Sequence, residues 1–177
     1  NDDGTVSITG YMGTDSEVVI PNSINSCVVV AIGREAFDGC TSLKGIDLPE
    51  GLTSIGMYAF RGCSNIKELE IPESVTYIGA KAISGTAIEE ILIPKNVVTM
   101  DSDTNDSPIK EIYESALAEA DSLKTVVFAD GISAIPVRAV KDNTTVEEVV
   151  IPDTVTIINR EAFDGCTSLK GIDLPEG

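Results

Sequence analysis

The side chains in this sequence that could do chemistry are carboxylates and thiols. Asp101-x-Asp103-x-Asn105 has the spacing of the first three oxygen ligands of a calcium loop. The rest of that pattern fails, because Asp106 stands where an EF-hand has Gly and Ile112 where it has Glu. A solvated acidic turn is the better reading of residues 101–106. Cys40, Cys63 and Cys166 share one position of a recurring motif, and Cys27 stands apart. No C-x-x-C occurs, which removes redox and zinc-ribbon chemistry. Equivalent side chains of stacked units point the same way, a poor geometry for bridging. The cysteines are therefore expected as buried free thiols filling a corner below the motif's Phe. Asn143-Thr-Thr and Asn105-Asp-Ser are formal glycosylation sequons.

Composition narrows the chemistry further. The 177 residues include no His and no Trp. That excludes a Ser-His-Asp triad, a Cys-His dyad, an H-E-x-x-H zinc site and a haem held by imidazole. Lys and Arg total 12 against 29 Asp and Glu, a formal charge of −17. Nucleic acid is excluded as a partner, since binding it needs clustered cations. The charge repels anionic membranes and favours a basic protein partner or divalent cations. No run approaches the ~20 apolar residues of a membrane span, so no membrane insertion is expected. The chain is expected to be no enzyme and to carry no cofactor and no metal.

The elements that position these groups come from a repeat. Arg34–Gly51, REAFDGCTSLKGIDLPEG, recurs unchanged as Arg160–Gly177. Degenerate copies lie between them, marked by Ile20-Pro21, Leu48-Pro49, Ile71-Pro72, Ile93-Pro94, Ile151-Pro152 and Leu174-Pro175, with Phe128-Ala129 in the remaining slot. The steps are 28, 23, 22, 35, 23 and 23 residues. Each unit carries L-x-x-I-x-L, as in Leu43/Ile46/Leu48 and Ile66/Leu69/Ile71, whose alternation predicts a strand with one buried face. The return half supplies V-x-x-I, as in Val75/Ile78, and then A-F, as in Ala59-Phe60. Gly33, Gly56 and Gly79 are read as one corner and Gly39, Gly62 and Gly165 as a second. Phe37, Phe60 and Phe163 are expected to form a broken core spine. A chain that returns every ~23 residues to present the same strand is a solenoid, and single coils are stable only when stacked.

Residues 2–32 are read as an N-terminal cap, with strands at Thr5–Tyr11 and Glu17–Ile20 and a hairpin around Ile24–Cys27. Residues 33–177 are the solenoid, with an irregular acidic insertion near 94–112. Two registers fit that insertion. Either Ile109/Ile112 hold the V-x-x-I slots and 94–105 is extra, or Val97/Met100 hold them and the extra length falls near 101–112. The chain stops mid-unit at Pro175-Glu176-Gly177, as expected of a truncated piece of a longer repeat protein. An uncapped coil there predicts end-to-end contact through the C-terminal end.

The unit V-T-x-I-G-x-x-A-F-x-G-C-x-S-L-K-x-I-x-L-P closely resembles the BspA-like leucine-rich repeats over essentially the whole chain. The opening D-G-T-V-S-I-T-G-Y and G-T-D-S-E-V-V-I-P resemble the start of such domains. The resemblance implies an α/β-type leucine-rich-repeat solenoid of about six coils of ~23 residues, with short parallel strands and loops or turns on the return half. It implies an extracellular or cell-surface location, a role in adhesion or protein–protein interaction, and no catalytic residues to transfer. The units near the middle depart from the pattern, with Ala82-Ile83-Ser84-Gly85 in one and Glu119-Ala120 and Asp142-Asn143 replacing Gly-Cys in the next two.

The candidate binding face is the outward side of the strands. Glu68, Glu70, Glu89 and Glu90 are expected to cluster beside an apolar strip of Leu92, Val127 and Val150, with Glu148 nearby. The functional reading is an acidic, partly apolar face for a basic host or matrix protein. The plainer reading is a set of solvated strand residues whose charge protects against aggregation, since the face lacks Trp, Tyr and Arg anchors. An alternative function is a structural spacer holding another domain of a longer surface protein.

Overall fold

The computed structural model describes residues 4–100 and 114–174. The acidic loop 101–106, with its calcium-like spacing, and the sequon at Asn105 lie outside them. Twelve short strands are described: β1 (Thr5–Ile8), β2 (Glu17–Val19), β3 (Ser23–Ile24), β4 (Cys27–Ile32), β5 (Gly45–Asp47) and β6 (Ser54–Ile55) lie in the N-terminal part. They are followed by β7 (Tyr77–Ile78), β8 (Glu90–Ile93), β9 (Thr125–Phe128), β10 (Ala134–Ile135), β11 (Glu148–Val150) and β12 (Ile157–Ile158). No helix occurs among the described residues. All strand pairs are parallel except the β3–β4 hairpin.

The alternating L-x-x-I-x-L segments form a front ladder, pairing β2 with β5, β8 with β9 and β9 with β11. Their inward residues, among them Ile46, Ile91, Val126 and Val149, are buried. The V-x-x-I segments form a second, back ladder, β1-β4-β6-β7, continued by a bridge from Tyr77 to Thr99. β10 and β12 pair in the same slots. The return half therefore contains strands as well as turns, because the V-x-x-I side chains are buried in every coil before Ile158 and their backbone meets the same slot one coil away. Between the ladders the Ile, Leu, Val and Ala side chains make one core, an arrangement only stacked coils can close.

The N-terminal segment joins this stack as a first coil. Tyr11 takes the Phe slot: its N–H donates to the Ala36 carbonyl at 2.8 Å, the bond Phe37 makes to Ala59 and Phe60 to Ala82. The aromatic spine is consequently Tyr11–Phe37–Phe60, with centroid separations of 5.3 and 5.5 Å. Phe163 stands apart and half-buried at the other end. The hairpin turn is made by Asn25 and Ser26, both at positive φ.

Of the two expected glycine corners, one differs in its chemistry. Gly39, Gly62, Gly85 and Gly165 do sit at φ between 66° and 76°. Gly33, Gly56 and Gly79 do not; their role is close approach of one coil to the next. A Cβ on Gly79 would lie 2.4 Å from the Met57 nitrogen, and one on Gly56 2.7 Å from the Arg34 nitrogen. A further left-handed position, held by Glu35, Tyr58, Lys81, Arg138 and Glu161 and by no Gly, precedes the Ala of the A-F slot in five coils. Val97 and Met100 are buried in the V-x-x-I slots, and Val98 N–H donates to the Thr76 carbonyl at 3.0 Å. The second register of the irregular step is therefore the one adopted, and the extra length follows Met100.

Candidate functional site

The strand expected at Ile66–Ile71 is missing from the front ladder. Ile66, Leu69 and Ile71 still point into the core, so the coil runs in place but forms no strand ladder with either neighbour along this stretch. Glu68 and Glu70 are exposed there, and Asp47 is exposed on the preceding coil. Like charges at opposed positions of neighbouring strands disfavour pairing. The next coil is also one residue shorter, at 22 residues, and Ala87 rather than the strand bonds back, to the Ile66 carbonyl. A groove of ≈ 600 Å³ results, lined by Lys67, Glu68, Glu70, Glu89, Glu90 and Leu92.

Beyond the groove the ladder is regular. Leu92 pairs with Val127, which pairs with Val150, and Glu90–Thr125–Glu148 forms the parallel row. At ~4.8 Å per strand the apolar row spans about 10 Å. Leu92 is 54% and Val150 42% exposed, while Val127 is half-buried. Glu89 takes the preceding slot, and its carbonyl accepts from Lys124 and Thr125. A second depression of ≈ 580 Å³ lies over Lys124, Thr125, Glu147, Glu148, Val150 and Lys170. Lys170 pairs with Glu147 across its floor, and that contact holds the Glu147 carboxyl below its ordinary range.

The eight candidate residues thus fall into two groups. Glu90, Leu92, Val127, Glu148 and Val150 share one continuous sheet face, with Glu89 at its edge. Glu68 and Glu70 face them from across the groove on a separate segment.

The cysteines are free, but only Cys63 is fully buried; Cys27, Cys40 and Cys166 are half-buried. Their slots lie at the outer rim of the coil, where one side opens to solvent. Burial pushes the Cys63 thiol up to about 12 and the Cys166 thiol to about 11. The shared slot has a specific function. Cys63 Sγ donates to the Phe37 carbonyl at 3.0 Å and Cys166 Sγ to the Val140 carbonyl at 3.2 Å. Asn143 fills the slot in the coil before Cys166 and is buried, so the sequon it opens is inaccessible in the folded chain.

Arg34, Arg61, Lys81, Arg138, Lys141 and Arg160 lie elsewhere, on the return corners. Arg138 Nε meets Glu161 at 2.9 Å and Lys141 Nζ meets it at 2.7 Å. Hydrogen bonds from Lys141 and then Arg138 hold the Glu161 carboxyl at about 2. Lys81 Nζ lies 2.8 Å from both Glu114 and Glu119. Burial works to lower the Lys81 ammonium, but these two carboxylates outweigh it and the net shift is upward. This corner network was illegible in sequence, because its residues occupy variable positions of the repeat. Among the described residues, no group of three or more Cys, Asp or Glu side chains is arranged to hold a metal ion, and no helix is long and apolar enough to cross a membrane.

Comparison with solved structures finds the same fold in bacterial proteins. The leucine-rich repeat protein of T. pallidum superposes with a TM-score of 0.60 at 21% identity, covering 95% of this chain and 84% of that one. A leucine-rich repeat protein from Bacteroides capillosus gives 0.54 at 27% identity, covering 72% and 88%. The pneumococcal vaccine antigen PcpA gives 0.56 at 19% identity, covering 81% of this chain but 30% of that one. No curated protein matches the chain. The model of the BspA type leucine-rich repeat region matches residues 15–108 and 103–177, in six copies. With the two stacked ladders and the recurring A-F-x-G-C corner, this places the chain in the BspA-type leucine-rich repeat family.

Proposed function

We propose that the chain is a non-catalytic, cell-surface or extracellular module that binds a protein through the front face of β8, β9 and β11. The observation that carries this reading is the register Leu92–Val127–Val150, an apolar row with solvent-facing ends beside the acidic row Glu90 and Glu148. Glu68, Glu70 and Glu89 extend the negative field across the groove. Such a surface suits a partner with a small apolar contact rimmed by Lys or Arg, where the rim charges speed association and the apolar centre sets affinity. A host or matrix protein with a basic patch has that chemistry. Membership of the BspA type leucine-rich repeat family supports the surface location and the adhesion role. Residues 2–32 act as the cap of the solenoid.

The test is surface plasmon resonance on an immobilised extracellular-matrix preparation. The Leu92→Asp/Val150→Asp variant is expected to bind at least about tenfold more weakly than the parent, the loss of about one buried hot spot. The Glu68→Lys/Glu70→Lys/Glu89→Lys/Glu90→Lys variant is expected to lose association rate and salt dependence. Unchanged binding by both variants overturns the reading. The spacer function is favoured by one observation, that the strip contains no aromatic or Arg side chain.

A further inference from the structure

The back ladder differs from the front in its charge. The two outward slots of V-x-x-I are filled in all six described coils, from Val30-Ala31 to Thr156-Ile157, by Val, Ala, Thr, Ser, Tyr or Ile and never by a charged residue. Yet 23% of the chain is charged, and the front face carries Glu68, Glu70, Glu89, Glu90 and Glu148. The uncharged face is also ordered. The Thr53 and Thr76 hydroxyls donate to the carbonyls of Val30 and Thr53, one coil back, at 3.0 and 3.3 Å.

The register sets Ser7, Ala31, Ser54 and Tyr77 on one line, each opposite the next. Three small side chains followed by a large one leave a step. The step is a trough of ≈ 120 Å³ lined by these four residues and, towards the corner, by Arg34 and Met57. Ser7 and Ser54 are half-buried, and their hydroxyls have no hydrogen-bond partner among the described residues. Arg34 is held at the rim. Its Nε and Nη2 each lie 3.3 Å from Glu35 Oε1, and its guanidinium carbon lies 5.6 Å from the centre of the Tyr58 ring. A guanidinium has five N–H groups, so donors remain beyond those that meet Glu35.

Charge and area together select the occupant. A cation is drawn to the acidic front face, and an anion is opposed by the field of a chain with formal charge −17. A stable protein interface needs about 800 Å² per partner. The row from Ser7 to Thr99 is about 19 Å long and, at two residues, about 7 Å wide, so its area is several-fold too small. At ~30 Å³ per water the trough has room for about four waters, which suits the polar edge of one small ring. A narrow, neutral molecule with hydroxyls at its edge and an apolar face for an aromatic side chain meets all of these conditions, and a saccharide is such a molecule.

We propose that the trough between Ser7 and Tyr77 is a saccharide-binding subsite. The face of a neutral pyranose ring packs on Tyr77, its hydroxyls bond to Ser7, Ser54 and Arg34, and adjoining sugars lie along the uncharged row. The site is independent of the front-face reading, since none of its residues lies on the Leu92–Val150 strip.

The test is calorimetric titration of the full chain with neutral tetrasaccharides of glucose, mannose, galactose and N-acetylglucosamine, with amide chemical shifts to locate the contact. At least one is expected to bind and to shift the amides of Ala31, Ser54 and Tyr77. Tyr77→Ala is expected to weaken that binding about fivefold or more, and Tyr77→Phe to preserve it. Ser54→Leu fills the trough from an outward slot without touching the core, and is expected to cost about tenfold or more at an unchanged melting temperature. No binding by any of the four sugars overturns the proposal, as does binding that Ser54→Leu leaves unchanged. Tighter binding of a sulfated tetrasaccharide than of its neutral parent would make Arg34 an anion site and overturn the neutral assignment. Dimers in sedimentation that Ser54→Leu dissociates would make a second copy the occupant and likewise overturn it.

Discussion

Asn143 Nδ2 donates to the Leu117 carbonyl at 2.8 Å, reproducing with an amide the bond that Cys63 makes to Phe37 with a thiol. Its Oδ1 does more than a sulfur in that slot, accepting from the N–H groups of Thr145 and Val146 at 2.9 Å each. Asn143→Ala therefore leaves one carbonyl and two amides without this partner in a buried corner. A loss of about 2–3 kcal/mol in urea unfolding is expected. Asn143→Cys restores the carbonyl bond alone and should fall between the parent and the alanine variant.

Gly79 and Gly39 predict different outcomes for the same substitution. At Gly79 a Cβ meets the Met57 backbone at 2.4 Å, so Gly79→Ala forces two coils apart. A cost of about 2–3 kcal/mol is expected, as for overpacking against atoms that cannot yield. At Gly39, with φ of 71°, no atom lies within 4 Å of the added carbon. Gly39→Ala should cost only the left-handed backbone penalty, about 1–2 kcal/mol. Thermal melts of the two variants would distinguish them.

Asp142 occupies the corner slot that holds Gly in four of the described coils, at φ of 59°. Its N–H bond to the Asp164 carbonyl survives any substitution of the side chain. Asp142→Gly should therefore raise stability by about 1 kcal/mol, through relief of the left-handed strain less the added freedom of the unfolded chain. A lower urea midpoint for this variant would contradict the assignment of strain to that residue.

Glu161 predicts a pH effect with a definite sign. Its folded carboxyl is held at about 2 against an ordinary 4.5, with Lys141, Arg138 and Arg160 around it and Asp142 and Asp164 nearby. A depressed carboxyl stabilises the fold fully above pH 4.5 and loses that contribution as pH falls towards 2. Asp38, Glu119 and Glu147 are shifted in the same direction. Between pH 5 and pH 2 the melting temperature of Glu161→Gln should fall less steeply than that of the parent, without becoming flat.

The thiols predict an order of labelling. Cys63 is buried and its thiol lies near 12, so native-state alkylation at pH 8 should spare it. The half-buried Cys27 and Cys40 should react before it, and all four should react in denaturant. A count below four after unfolding under non-reducing conditions would reveal a disulfide and contradict the free state.

Much of this fold was readable because its period fixes its geometry. The A-F-x-G-C corner and the alternation of Leu123/Val126/Phe128 each specify a direction of burial without reference to distant residues. Tyr11 escaped the Phe slot because its coil is shorter before the aromatic, with Thr9-Gly10 where later coils have four residues. The pairing failure at Glu68-Leu69-Glu70 escaped for a different reason. Its apolar pattern is that of a strand, and only the charges on neighbouring coils oppose the ladder. The left-handed positions of Tyr58, Lys81 and Arg138 carry no compositional sign, since a turn that tolerates Glu, Tyr, Lys and Arg looks like a variable position.

The break at residues 66–71 has a mechanical meaning. Along the back, hydrogen bonds run without interruption from β4 through β6 and β7 to Thr99. Along the front, the same coils are joined mainly by side chains in the core. A stack tied on one side and untied on the other is a flexure whose bending axis is the tied side. Load applied to the ends of the molecule therefore concentrates on both sides of Glu70, between Asp47 and Leu92, rather than spreading evenly over the coils.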